Sequence, residues 1–189
     1  MTWQSVRFSL PPWIEEVAPQ GLVLPTLEER MRFVIELANR NVKAETGGPF
    51  GAAIFEAASG KLIAPGVNRV IPSNIPTAHA EVMAISIAGQ MVGSFTLAGA
   101  GMPAAELVTS SEPCSMCFGA IPWSGVRRMV FGATAEDAEA IGFDEGPKPD
   151  NWIEALEERG IEVVAGFLAE EAGAALRAYG EGGYEVYNG

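Results

Sequence analysis

Apolar and polar residues follow the periods of helices and strands along the chain from about residue 27 onward. The segment that begins at Leu27 repeats apolar residues at helical spacing, among them Met31 and Val34, which predicts an amphipathic helix. Thr26 stands where the N-cap of this helix is expected, and Glu29 completes a capping box. The preceding residues, 1–26, are rich in proline and show little periodicity. We therefore expect an irregular lead-in that packs on the domain.

Extended runs of apolar residues predict strands after this helix. Phe50–Phe55 and Leu62–Val67 form a predicted hairpin through Ser59 and Gly60, and Asn68 closes its second strand. The remaining pattern predicts, in order, a loop at 71–76, a helix from Thr77–His79 to about Met91, a strand at Leu107–Thr109, a helix at Cys114–Pro122, a strand at Arg128–Phe131, helices at 134–141 and 150–159, a strand at Ile161–Val164 and a helix at Leu168–Tyr179.

The order of these elements indicates an α/β fold with a central sheet covered by helices on both faces. No internal repeat or linker interrupts the pattern, so residues 1–189 are expected to form a single domain. Residues 180–189 are rich in glycine, and such an end is often mobile.

The charge balance bears on possible partners. The formal net charge is −12, from 24 acidic and 12 basic residues, which opposes non-specific binding to a phosphate backbone. No apolar run reaches the ~18–20 residues that span a bilayer, and the first residues do not resemble a signal peptide. We therefore expect a protein that binds neither nucleic acid nor membrane and is located in the cytoplasm, where thiols stay reduced.

Two short motifs hold all the imidazole and thiol groups of the chain. The only histidine is His79, and the only cysteines are Cys114 and Cys117. One His and two Cys form the ligand set of a catalytic Zn²⁺ whose fourth position stays open for water. Glu81, two residues after the histidine, adds a carboxylate that can transfer protons beside that water. A closed structural zinc site with Glu81 as fourth ligand, and a redox pair of the two cysteines, are the alternatives.

His79 and Glu81 lie two positions apart and would point to different flanks of an ordinary helix. They share one site if the helix meets the metal with its first turn, and the same holds for Cys114 and Cys117. Both helix N-termini would then face the metal and stabilise thiolate and hydroxide. In that arrangement, Glu81 can take a proton from the water and deliver it to a bound substrate.

These motifs resemble those of the cytidine/deoxycytidylate deaminase superfamily and, within it, the guanine deaminase branch. Within that branch, the chain resembles bacterial guanine deaminases of the subgroup that also accepts the triazine ammeline. The resemblance covers about residues 27–145 and rests on Gly47–Ala52 (GGPFGA), Asn68, Thr77–Glu81 (TAHAE), Thr109–Cys117 (TSSEPCSMC), Gly119–Trp123 (GAIPW) and Gly142–Glu145 (GFDE). It implies a three-layer α/β/α sandwich with a five-stranded mixed sheet, and a homodimer.

The resemblance also implies roles for single residues. His79, Cys114 and Cys117 match the zinc ligands, with one zinc ion per subunit, and Glu81 matches the proton shuttle. The residues implied in substrate binding are Asn68 through its amide, Ala80 through its backbone N–H, and Phe50 and Trp123 as aromatic rings that flank the flat substrate. The alternatives are a turn asparagine for Asn68 and core positions for the two aromatic residues.

Asp144 and Glu145 are candidates for recognising the substrate edge. Guanine offers two donors on one edge, N1–H and the 2-amino group, and a carboxylate is the matching acceptor. The alternative is an ordinary acidic loop. In the tail, Tyr184 or Tyr187 is a candidate lid over the site, because a tail aromatic can cover a neighbouring subunit's site in shorter guanine deaminases.

The sequence thus predicts hydrolytic deamination of a free nucleobase, namely guanine to xanthine plus ammonia, with ammeline as a further substrate. Deamination of adenosine in tRNA is the first alternative, but a strong acidic excess and only three lysines disfavour a nucleic-acid substrate. Cytosine deaminase is the next. A non-catalytic zinc-bound scaffold and a thiol–disulfide oxidoreductase are the alternatives from other classes.

Overall fold

The computed structural model describes residues 5–188. The elements within these residues are, in chain order, α1 (Ile14–Val17), α2 (Leu27–Lys43), β1 (Gly51–Glu56), β2 (Leu62–Val67), α3 (Val70–Ser73), α4 (Ala80–Val92), β3 (Ala105–Ser111), α5 (Ser115–Ser124), β4 (Arg128–Ala133), α6 (Ala135–Glu139), α7 (Trp152–Glu157), β5 (Glu162–Val164) and α8 (Ala169–Glu181). None of the helices in this part of the chain is long and apolar enough to cross a membrane.

The strands form one sheet in the order β2-β1-β3-β4-β5. Strand β1 runs antiparallel to both β2 and β3, whereas β3, β4 and β5 run parallel to one another. This confirms the expected five-stranded mixed sheet.

Helices cover both faces of the sheet and bury its apolar residues. Ala84 of α4 and Leu156 of α7 belong to the core on one face, to which α5 also contributes. Val34 of α2 and Leu176 of α8 belong to the core on the other face, together with α6. Burial of these two apolar layers at ~25 cal/mol per Å² is the main favourable contribution to folding. The three-layer α/β/α sandwich is therefore confirmed.

The predicted start of α2 is confirmed in detail. The Thr26 hydroxyl accepts the backbone N–H of Glu29, and the Glu29 carboxylate accepts the backbone N–H of Thr26. The N-terminal lead-in is less irregular than predicted, because it contains α1. Trp13 and Ile14 are buried there against Leu37, so a hydrophobic contact orders a turn that the sequence pattern alone does not reveal.

The loop predicted at 71–76 also contains a helical turn, which is α3. Val70 is buried at its start, and Pro72 is tolerated because the first turn of a helix needs no internal N–H donor. Asn74 ends the turn in the left-handed conformation, with φ 53°. The turn connects the end of β2 to the start of α4.

One edge of the sheet gathers the ends of several elements. The parallel strands β3 and β4 end there, β2 also ends there at Val67, and β1 begins there opposite it at Gly51. Helix α4 comes close to this edge because Gly66 has no side chain, and a Cβ at Gly66 would lie 2.2 Å from the carbonyl oxygen of Ala80. The first turn of α4 is thereby fixed beside the strand ends, where open α/β sheets commonly bind ligands.

Candidate active site

Two helix N-termini present the predicted metal ligands. His79 is the N-cap of α4 and Cys114 is the N-cap of α5, each with an extended backbone. Cys117 lies in the first turn of α5 and is fully buried. The expected arrangement, in which both helices begin at the site, is thus confirmed. The free N–H groups and the positive end of each helix dipole favour negative charge at this point.

The three side chains are close enough to hold one ion. The ligand atoms of His79, Cys114 and Cys117 all lie within 4.8 Å of one another. Sγ of Cys114 lies 3.5 Å from Nδ1 of His79. In tetrahedral coordination, a sulfur about 2.3 Å and a nitrogen about 2.0 Å from zinc would be separated by about 3.5 Å. The donor set and its spacing therefore fit Zn²⁺, with Nδ1 as the imidazole ligand.

Glu81 lies in the first turn of α4 beside these ligands. It is buried, with 6% exposure. Burial, reinforced by the nearby charge of Cys114, raises the pKa of Glu81 to about 7. A carboxyl with such a pKa can both accept and donate a proton near neutral pH.

Without a bound cation, hydrogen bonds among the side chains of His79, Cys114 and Cys117 shift the pKa values of these groups. Hydrogen bonding from Cys117, and then from His79, lowers the pKa of Cys114 to about 4. The hydrogen bond to Cys114 and burial together raise the pKa of Cys117. Burial acts to lower the pKa of His79, but the hydrogen bond to Cys114 and the charge of Glu81 outweigh it and raise that pKa. A bound metal would replace these shared protons, since it binds thiolate and neutral imidazole.

A cavity opens above the ligands at the sheet edge. Its wall includes His79, Cys114 and Glu81, the candidate lid residue Tyr187, and most of the predicted substrate-binding residues, namely Phe50, Asn68, Ala80, Asp144 and Glu145. Oδ1 of Asn68 accepts the backbone N–H of Val70 at 3.3 Å, so the amide N–H₂ is the group with which Asn68 can donate to a bound molecule.

Trp123 does not lie in this cavity. It is 82% exposed and lines a separate surface groove with Phe95, which is 97% exposed. Cys117 and Trp123 lie six residues apart on α5, so the first turn faces the metal while the last turn reaches the outer surface. The expectation that Trp123 flanks the substrate ring within its own chain does not match this placement.

Glu145 is the most unusual acidic residue of the cavity. It is 7% exposed, and its Oε2 has no hydrogen-bond partner within the described residues. Burial, with the charges of Cys114 and Glu81, raises the pKa of this carboxyl to about 8. The neighbouring Asp144 has a local role, because its Oδ1 accepts the backbone N–H of Gly146 at 2.8 Å. The two acids of this loop thus differ, and only Glu145 presents a buried acceptor without a donor.

The C-terminal tail folds back over its own chain. Tyr184 stacks on Tyr179 with ring centroids 5.0 Å apart, and Tyr187 lines the cavity. Asn188 donates to the carbonyl of Gly142 at 2.7 Å and accepts the N–H of Asp144 at 2.9 Å. The tail is therefore joined to the loop that carries the two acids.

Other cavity residues were not singled out from the sequence. They include Glu112, Phe143, Tyr179 and Glu185. Glu112 and Phe143 lie inside the motifs TSSEPCSMC and GFDE, so their place next to predicted site residues could have indicated that they line the cavity. Tyr179 and Glu185 carried no such signal, because only the fold brings α8 and the tail to the sheet edge. Asn41 was missed as well, and its side-chain amide donates to the carbonyls of Gly48 and Asn68, at 2.9 and 2.8 Å.

Comparison with known proteins agrees with this geometry. A solved structure of guanine deaminase from Nitrosomonas europaea has a TM-score of 0.91 and 48% sequence identity, over 96% of this chain and 99% of that chain. Guanine deaminase from Bacillus subtilis is 42% identical over 118 residues, which are 62% of this chain and 71% of that protein. The tRNA-specific adenosine deaminase of Haemophilus influenzae is 34% identical over 158 residues, 80% of this chain and 82% of that protein.

The family model of the cytidine and deoxycytidylate deaminase zinc-binding region matches residues 25–133, more than half of the chain. This match spans all three predicted ligands and Glu81, and it ends with β4. The chain therefore belongs to the cytidine and deoxycytidylate deaminase family.

Proposed function

We propose that this protein catalyses the zinc-dependent hydrolysis of guanine to xanthine and ammonia, and that the triazine ammeline is a second substrate. We choose guanine because a buried carboxylate oxygen of Glu145 has no hydrogen-bond donor within the described residues and lies in the cavity wall, beside the predicted metal ligands. The greater similarity to guanine deaminases than to the tRNA-specific enzyme supports the same choice.

His79, Cys114 and Cys117 would hold one zinc ion per subunit. When bound, zinc offers an open fourth position and lowers the pKa of water there to ~7. Glu81 is the proton carrier of the reaction: it accepts a proton from the attacking water and passes it to the ring nitrogen next to the attacked carbon. It then takes the remaining proton from the new hydroxyl group and gives it to the amine, so that the carbonyl forms and the amine leaves as ammonia.

The cavity wall offers partners for the other edges of the base. Glu145 accepts from N1–H and the 2-amino group, Asn68 donates through its amide, and the N–H of Ala80 at the start of α4 contacts a ring heteroatom. Phe50 flanks the ring, held edge-to-face by Phe143 with centroids 4.9 Å apart. Asp144 supports the loop and lies at the rim, while Tyr187 closes the cavity from the tail.

The proposed substrate is a free base and not a nucleic acid. The net charge of −12 and the acidic side chains of the cavity wall oppose the approach of a phosphate backbone. A purine base carries no phosphate and offers the N–H donors that carboxylates accept. The reaction places the protein in purine metabolism, and its thiol ligands suit the reducing cytoplasm.

We further propose a homodimer. Phe95 and Trp123, both strongly exposed, line one surface groove beside α4 and α5. Large exposed apolar side chains that share a groove are typical of a protein–protein interface. Light scattering on the intact protein tests this proposal, and a monomer at micromolar concentration would contradict it.

The experiment for the proposed function measures ammonia release by zinc-loaded protein from guanine, ammeline, cytosine, adenine and cytidine, and from a tRNA anticodon stem. Guanine is expected to be the best substrate. Glu81→Gln is expected to keep its zinc and lose at least ~10²–10⁴-fold in turnover. Activity on cytosine or the RNA without activity on guanine would contradict the substrate, and equal activity of the variant would contradict the mechanism.

A further inference from the structure

The loop between α6 and α7 holds Glu145 in place without regular secondary structure of its own. Residues 140–151 form no strand, and α7 begins only at Trp152. Nevertheless, Glu145 is almost fully buried. Its backbone carbonyl accepts the N–H of Ser115 at 2.9 Å and the Ser115 hydroxyl at 3.2 Å. These bonds fix the main chain of Glu145 to the start of α5 but leave the rest of the loop to be held by other contacts.

Lys148 supplies a second attachment, three residues later. Its ammonium group donates to a carboxylate oxygen of Glu112 and to the carbonyl oxygen of Pro113, the latter at 2.8 Å. The same nitrogen lies 4.8 Å from the ring centroid of Trp152, in a cation–π contact. All three partners are provided by the segment before Cys114 and by the start of α7. The loop is thereby tied to the cysteine motif at Glu145 itself and again three residues later, at Lys148.

The pair of Lys148 and Glu112 is largely withdrawn from water. The exposed fractions of the two side chains are 9% and 12%. Removal of one partner from a buried ion pair is costly, because the other charge is left without compensation. The other two lysines of the chain are Lys43 and Lys61, and the side chain of Lys61 is 54% exposed in its pair with Glu56. Lys148 is therefore placed differently from an ordinary surface lysine.

The charge of Lys148 also matters to the cavity as a whole. Five acidic residues line the wall, and within residues 5–188 no lysine or arginine lines it; the acids are Glu81, Glu112, Asp144, Glu145 and Glu185. Lys148 stands directly behind this wall, where it neutralises Glu112. Without that ammonium, Glu112 would be left as a largely buried carboxylate with no partner, and this would favour displacement of the loop.

We infer that Lys148 is a positioning residue, which holds the carboxylate of Glu145 at the substrate edge by tying the loop to Glu112 and Pro113. The inference rests on the proposed function, because it assigns Lys148 a role through the substrate contact of Glu145. Lys148 itself does not line the cavity and takes no part in the chemistry.

The test is a double-mutant cycle on kcat/KM for guanine, with zinc content and circular dichroism measured on every variant. Lys148→Met keeps the apolar stem and removes the charge, and it is expected to lower kcat/KM by roughly 100-fold, the scale of a small misplacement of a catalytic-site group. Lys148→Arg, which restores a cation, should recover most of this loss. Lys61→Met, the matched loss of one lysine, should change kcat/KM less than about threefold.

The decisive comparison is made in the Glu145→Gln background. If Lys148 acts through Glu145, Lys148→Met should cost much less there than in the unsubstituted protein. An equal loss in both backgrounds, or no loss in either, overturns the inference. If Lys148→Met does not fold, Lys148→Gln keeps a donor for Pro113 and carries the same comparison. Failure of the proposed function is recognised separately, because the unsubstituted protein would then release no ammonia from guanine, and the role of Lys148 would be rejected with it.

Discussion

Two groups of segments enclose the cavity, and they are built in different ways. The ligand helices, α4 and α5, carry His79, Glu81 and the two cysteines on their N-terminal ends. Their positions follow from the sheet, because α4 packs on β2 through Gly66 and α5 follows directly from β3. The chemistry therefore lies on segments whose geometry is set by the core of the protein.

The covering segments, residues 142–150 and 182–188, have no regular structure and are held by side-chain contacts. Asn188 joins the two segments to each other, Lys148 joins the loop to the cysteine motif, and Tyr179 joins the tail to α8. Loops held in this way can change without loss of the fold. In such a fold, the covering segments can differ between proteins while the ligand helices keep their place on the sheet.

The largest expected effect comes from the ligand helices. Cys117→Ser should leave the protein folded but abolish stable zinc binding and turnover, because three ligands are the minimum for the catalytic site. Zinc content by atomic emission and ammonia release from guanine are the measurements. As a control, chelation of the unsubstituted protein should also abolish turnover, and added Zn²⁺ should restore it. A variant that still bound one zinc ion tightly and turned over guanine would show that Cys117 is not a ligand.

The same comparison explains what the sequence revealed and what it did not. The positions of the predicted ligands and Glu81 at two helix N-termini, and the order of the strands along the chain, could be predicted, because helix caps, strand patterns and the spacing of His and Cys are local signals. The cavity positions of Tyr179 and Glu185 could not, since they depend on where α8 and the tail pack. Trp123 lay within a matched motif, yet the helical turn that carries it faces outward.

An intermediate effect is expected at the contact between the two covering segments. Asn188→Ala removes two hydrogen bonds that join the tail to the loop, each worth about 0.5–1.5 kcal/mol. We expect KM for guanine to rise about tenfold, with kcat and zinc content nearly unchanged. Asn151→Ala is the matched control, because Asn151 is exposed and makes no side-chain cap for α7. An unchanged KM would show that the tail does not act as a lid, and a loss of zinc would show that the two groups of segments are not independent.

The smallest effect concerns stability and reports on the burial of Glu145. Burial raises the pKa of this carboxyl from 4.5 to about 8, so the folded chain binds more protons than the unfolded chain between these two pH values. The free energy of unfolding therefore falls as pH rises through this window. Glu145→Gln replaces the carboxyl by a neutral amide and so removes this loss of stability at higher pH.

In metal-free protein, Glu145→Gln should raise the melting temperature at pH 8 by about 3–6 °C, which corresponds to roughly 1–2 kcal/mol for a chain of this size. Well below pH 4.5, the two proteins should melt together, because the carboxyl is then protonated in both the folded and the unfolded state. Glu158→Gln, at an exposed position, should show no such pH dependence. A difference that was the same at both pH values would mean that the charge of Glu145 is not its cause. A rise in melting temperature confined to high pH would instead show that the buried charge of Glu145 lowers the stability of the folded protein. Such a cost is expected of a carboxylate whose hydrogen-bond donors come from a bound substrate and not from the protein itself.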